Sequence, residues 1–285
     1  MDDHEYDVAV CWRIYPGVSK DPIFYKEDKF KLAQLSFRSF LKSAEGLKIK
    51  YFILLDGCPP LFENIFTENI PPGDLEIIHT DNIGNRGTFQ KQLEILLSQP
   101  DAPLVFFAED DYLYRPMVFK DMIQFCRNNK LANFITPYDH LDYFDHPIHA
   151  GPWHEINGHK IVWRSVVSTC LTFLTSKDIL VRSLPVFSTY RLGNTDCSIW
   201  VTLTRRYSIL SMVRFFFNNK ECFLILKKAF KYSFRYFFAG KKFHLWSPVP
   251  SIATHLERDH IAPGVDWTKI KENILVKEPD RISRD

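Results

Sequence analysis

Short apolar bursts alternate with helical patterns over residues 1–135. The stretches YDVAVCWRI (6–14), KIKYFILLDG (48–57), LEIIHT (75–80) and PLVFFAED (103–110) are rich in Val, Ile and Phe, as strands are. Between the first two, KFKLAQLSFRSFLKSAEG places Phe30, Ala33, Phe37, Phe40, Leu41 and Ala44 at helical spacing, with Gly46 as its C-cap. GTFQKQLEILLSQP reads as a second helix stopped by Pro100, and PMVFKDMIQFCRNNK as a third with Pro116 at its first position. Strands and helices in this order predict a mostly parallel α/β sheet with helices on its faces.

After Thr136 the rhythm breaks. Residues 137–160 are polar, punctuated by Pro and Gly, and hold five of the ten histidines. A loop of this length inside a compact domain is more often functional than idle. IVWRSVVSTCLTFLT (161–175) returns to strand character, and TDCSIWVTLTRRY reads as a helix with Asp196 near its start. Residues 205–246 then carry ten Lys or Arg against one acid, Glu221, interleaved with thirteen aromatics. The expected organisation is an α/β domain over 1–205, with a basic, aromatic helical elaboration and tail over 206–285 packed on it.

Composition changes this picture little. At 46% hydrophobic and 25% charged the chain is that of a globular protein, and a net charge of +2 gives no global field pointing to nucleic acid. Six scattered cysteines without a CxxC pair suit buried thiols in a reducing compartment. The acidic N-terminus lacks signal-peptide character, and no long uncharged apolar run spans a bilayer. A cytoplasmic location is expected.

The chemistry concentrates in LVFFAEDDYLYRP (104–116), where Glu109, Asp110 and Asp111 follow an apolar strand without a spacer. Three adjacent carboxylates repel one another unless something positive lies against them. In an open α/β sheet, ligands bind outside the carboxyl ends of the strands, and Asp56 at the end of YFILLDG belongs to the same edge. Carboxylates so placed suit a hard divalent cation, Mn2+ or Mg2+, which also grips phosphate oxygens. The plainer alternative is a set of solvated acids capping a strand beside Arg115.

These segments, in this order, resemble the GT-A-fold, nucleotide-sugar-dependent glycosyltransferases, in the style of the inverting family 2, over roughly residues 6–205 with an extension to 260. The resemblance implies a Rossmann-like sheet and a metal-dependent transfer from a nucleotide diphosphate-sugar donor to a saccharide or lipid-linked saccharide acceptor. ILLDGCPP carries over Asp56 as a contact to nucleotide base or ribose. HTDNIGNRGTFQKQL carries over Asn85 beside the diphosphate. EDD stands at the DxD position, with Glu109 and Asp111 as metal ligands and Asp110 in the nucleotide set. NTDCSIW carries over Asp196 as general base, and ATHLERDH carries over His255 as a further metal ligand. Glu109 in the first DxD position and the single Asp of the second-strand segment depart from the family pattern, which leaves the donor nucleotide open.

Arg13 and Arg86 are candidate partners of the phosphates, Arg86 because GNRGTF sets it in a Gly-flanked turn ahead of a helix. His140, His146, His149, His154 and His159 match no compact zinc pair; an acceptor loop with Trp153 stacking on a sugar is the preferred reading. The basic aromatic segment has three readings: helix core with solvated faces, a stacking surface for single-stranded nucleic acid without any RNA-binding signature, or peripheral contact with an anionic membrane. Two function alternatives stay open, a sugar nucleotidyltransferase and a noncatalytic carbohydrate- or nucleotide-binding module.

Overall fold

The computed structural model describes residues 5–18, 21–150, 153–158, 160–207, 214 and 219–275. His159 and residues 208–213 and 215–218 of the basic aromatic segment lie outside these. The strands are β1 (Val8–Ile14), β2 (Ile49–Asp56), β3 (Leu75–Thr80), β4 (Leu104–Glu109), β5 (Tyr112–Tyr114), β6 (Phe134–Ile135), β7 (Glu155–Asn157), β8 (Val162–Val166), β9 (Phe173–Ser176), β10 (Leu245–Val249) and β11 (Ala253–His255). The longer helices are α1 (Lys29–Ser43), α2 (Gly84–Ser98), α3 (Phe119–Asn128), α4 (Lys177–Phe187), α5 (Asp196–Thr204), α6 (Lys220–Ala239) and α7 (Trp267–Leu275).

Among the described residues, nine strands form one sheet in the order β3-β2-β1-β4-β9-β6-β10-β8-β7. Its first four strands are parallel neighbours, connected through α1 and α2. β9 then runs antiparallel to both β4 and β6, so the far half is mixed. The chain moves outward from β1 to β2 and β3, then returns to place β4 on the other side of β1. That reversal makes the β1/β4 boundary the topological switch point, where open α/β sheets bind ligands.

β1 is buried along its whole length because the sheet is covered on both faces. The two-residue period of a strand sorts it: Val8, Val10, Trp12 and Ile14 join one core cluster, Ala9 and Cys11 the other. On the first face Trp12 meets Phe37 and Phe40 of α1 edge-on, each with ring centroids 5.3 Å apart. On the second, Gln92 of α2 is fully buried and donates to the Cys11 and Ala108 carbonyls at 2.7 and 3.1 Å. One amide thereby fastens α2 across the switch point.

β1 to β4 and the three helices appear where the apolar pattern placed them, with shifted ends. α3 starts at Phe119 rather than at Pro116, because Met117 takes a left-handed φ of 57° that a helix cannot include. α1 is capped at Ala44, and Gly46 (φ 84°) turns the chain two residues later. The strand character of residues 161–175 resolves into two strands, β8 and β9. The C-terminal stretch supplies α6 and α7, and also β10 within the large sheet. β11 pairs antiparallel with β5, opposing His255 to Tyr112. Among the described residues no helix is long and apolar enough to cross a membrane.

Candidate functional site

At the switch point, Arg13 of β1 stands in register with Glu109 of β4. Both line a cavity of about 410 Å³, together with Lys29, Asp56, Asn85, Asp110 and Asp111. The edge foreseen from sequence is thus one concave surface that gathers most of the candidate residues.

Each acid of the trio has its own cation. Glu109 forms an ion pair with Arg13 and accepts a second hydrogen bond from Thr172 Oγ1 at 2.7 Å. Arg13 also donates to the Asn85 carbonyl at 3.0 Å and to Thr88 Oγ1 at 3.3 Å, tying β1, β4 and α2 together. Burial disfavours the guanidinium charge, but Glu109 outweighs it and raises the Arg13 pKa. Asp110 meets Lys29 Nζ at 2.8 Å. Burial raises the Asp110 pKa, as does the neighbouring Asp111 charge, while Lys29 opposes both; contact at this distance is that of a charged pair. Asp111 Oδ2 lies 3.2 Å from His255 Nε2. Burial alone would raise the Asp111 pKa, but the His255 charge and hydrogen bond reverse this and hold it well below the ordinary range. His255 is pushed up to about 9: burial lowers it, and Asp111 more than compensates.

The donors that fit a divalent ion are consequently narrower than the sequence implied. Both Glu109 oxygens are engaged, on Arg13 and Thr172. His255 Nδ1 accepts from the Glu257 amide at 3.2 Å, which leaves Nε2 turned to Asp111. Asp111 Oδ1 is buried without a hydrogen-bond partner. The orphaned Asp111 oxygen suits an ion that keeps waters and takes phosphate ligands, and His255 would join it only by giving up its proton and turning Nε2 from Asp111. They do not make a closed protein cage, and among the described residues no group of three His, Cys, Asp or Glu is arranged to hold one.

Asp56 borders the cavity, and its carboxylate accepts three hydrogen bonds. It accepts from the Ile83 and Gly84 amides, each at 2.8 Å, and from Thr80 Oγ1 at 2.9 Å. It therefore caps α2 from outside the helix, where Ile83 has no side chain to do so. Asn85 uses its Oδ1 on Arg13 and its Nδ2 on Tyr190 Oη at 3.2 Å. Arg86 is exposed in the first turn of α2.

A second cavity of about 150 Å³ is bordered by Asp196, His140, Asp142, His146, His149 and Glu221. Asp196 is the first residue of α5, behind a capping box of Thr195 and Ser198, and its Oδ1 accepts from the Cys197 amide at 2.7 Å. Burial raises the Asp196 pKa, and so does the charge of Glu109, which brings the two cavities within electrostatic reach of one another. Three of the five loop histidines face this space. His149 is held down at about 3 by burial and is neutral there. Arg164 covers the ring of Trp153 at 3.9 Å, and the Trp153 Nε1 donates to the His149 carbonyl.

Lys29, Thr172 and Tyr190 were not legible as site residues. Lys29 alone left a signal, since it occupies the buried stripe of α1 with Leu32, Ala33 and Ser36. A lysine on an apolar face needs a buried partner. Thr172 and Tyr190 reach the site through chain returns that no local pattern reports.

No family model matches the chain, and no curated protein matches it. Among solved structures it is similar to the galactosyltransferase LgtC, in complex with donor and acceptor sugar analogues, at 12% identity and a TM-score of 0.44, over 95% of this chain and 98% of that one. An active-site mutant of LgtC gives 12% and 0.45 over the same shares. 4-Diphosphocytidyl-2C-methyl-D-erythritol synthase from Anaerococcus prevotii gives 10% and 0.40, over 70% of this chain and 82% of that one. Likenesses this distant assign no activity.

Proposed function

We propose that the chain is a glycosyltransferase that moves a sugar from a nucleotide diphosphate-sugar to an acceptor hydroxyl, with inversion. The observation that carries this reading is the Asp111–His255 pair, with its uncommitted buried oxygen, at the switch-point cavity. Asp111 and His255 would hold an Mn2+ or Mg2+ ion, which would supply positive charge for the donor diphosphate. Arg13 keeps Glu109 and Asn85 in place, and Lys29 fixes Asp110. Asp196, in the second cavity, accepts the proton of the attacking acceptor hydroxyl; its raised pKa improves it as a base. Inversion is preferred because a base stands ready and no nucleophile is evident.

Thermal-shift measurements with UDP, GDP, CDP and dTDP, with and without Mn2+, test the donor site. A metal-dependent shift by one nucleotide, followed by hydrolysis of its sugar conjugate, supports the transferase; no shift with any of them overturns it. One observation favours a second reading. All three acids are already neutralised by side chains, which suits a noncatalytic nucleotide- or carbohydrate-binding module. Binding without any hydrolysis or transfer would select it.

A further inference from the structure

We infer that the outward face of α6 docks on an anionic lipid surface. Cys222, Leu226, Ala229, Ser233 and Phe237 form the buried side of the helix, which packs on α4 and α5. The opposite side carries Leu224, Phe234 and Phe238, exposed by 47%, 59% and 53%. Lys227, Lys231 and Arg235 are exposed among them; the helix kinks at Ser233 (φ −135°, ψ 26°), and on both sides of the kink exposed apolar groups and cations alternate. Lys241 and Lys242 extend this surface past the helix end. No Asp or Glu occurs between Glu221 and Glu257, so beyond its first turn the helix brings no acid of its own to this surface.

Large apolar side chains left in water within a ring of cations mark an interaction surface. An interfacial helix meets both needs of this face at once: Leu and Phe enter the acyl boundary while Lys and Arg meet anionic headgroups. Nucleic acid suits it less well, because base stacking needs an open ring face. Here Phe234 and Phe238 pack edge to face at 5.0 Å, and Phe238 also leans on Phe230 and Phe237 at 5.9 and 5.6 Å. The rings make a ridge rather than separate platforms. Glu221, in the first turn of α6, borders the cavity that holds Asp196. On the transferase reading, docking by α6 brings that cavity to a lipid-linked acceptor; the docking itself does not depend on that reading.

Flotation of the full chain with phosphatidylcholine vesicles, alone or containing phosphatidylserine, tests this without nucleotide or turnover. Partition is expected with the anionic vesicles only, weakening as salt is added. The triple variant Lys227→Gln/Lys231→Gln/Arg235→Gln should lose roughly tenfold or more in partition, and Phe234→Ser/Phe238→Ser should lose it too. All five positions are exposed, so thermal melts should match the parent chain; if either variant melts early, the salt series on the parent chain decides. Equal recovery with neutral vesicles, no recovery with either, or partition untouched by both variants overturns the inference. So does tighter binding of a single-stranded oligonucleotide through the same residues. Nucleotide thermal shifts are read separately, so failure of docking and failure of the transferase reading are distinguishable.

Discussion

Lys29 is 7% exposed and lies against Asp110. Removing one member of a buried pair strands the other charge, so Lys29→Met is expected to destabilise the fold by about 3–5 kcal/mol in urea titration. Lys29→Met/Asp110→Leu should recover much of that loss, because no stranded charge remains; a double variant no better than the single would refute the pairing. Asp111 and Asp196 make a second test at this scale. Asp111→Asn should abolish the metal-dependent nucleotide shift. Asp196→Asn should keep that shift and lose transfer by roughly 10²–10⁴-fold. Full turnover in either variant would remove its assigned role. Of these residues, Asp111 stood out in the sequence because three acids follow an apolar strand there, and Asp196 through the family resemblance of NTDCSIW. Lys29 was hidden, because what gives it meaning is a carboxylate 81 positions away.

Among the elements, α2 shows how the site is held. It has no capping side chain of its own, and Asp56 at the tip of β2 supplies the cap. Asp56→Ala should cost about 2 kcal/mol of stability by chemical denaturation. It should also loosen the turn that presents Asn85 to Arg13, weakening nucleotide binding in step with stability. Weaker binding at unchanged stability would instead mean that Asp56 contacts the ligand. The sequence placed Asp56 correctly on the strand edge. Its commitment to two backbone amides depends on how β2 and the β3–α2 turn meet, which no local pattern encodes. β5 and β11 make the same point: Tyr112 to Tyr114 look like a continuation of the loop until strand pairing sets His255 beside Asp111.

For the whole molecule, pH dependence follows from groups buried in unfavourable protonation states. His149 is held at about 3 by burial, against an ordinary 6.5. Between these values the unfolded chain binds the additional proton, so this group's contribution is complete above pH 6.5 and is lost as pH falls toward 3. Asp139 works in the opposite sense. Burial raises it to about 6, so its contribution is complete below its unfolded value and disappears as pH rises through 6. The His149 displacement is the larger of the two, and this group alone loses a stabilisation of order 2–4 kcal/mol on acidification. His149→Phe should flatten the slope between pH 6.5 and 4 in a series of urea titrations. An unchanged slope would show that His149 is solvated or already charged.

By itself the sequence determined the strands β1 to β4, the helices between them and the edge on which the acids gather. These follow from periodicities of two and 3.6 residues, which are local. It also determined the amphipathic character of α6, since a face is written in the spacing of its residues. Only the tertiary structure decided which cation answers each acid. Arg13, Lys29 and His255 come from the first strand, the first helix and the last strand, and their charges meet Glu109, Asp110 and Asp111 only once the sheet has closed. Pairing of this kind depends on separations of a few ångströms in space, and distance along the chain carries no record of them.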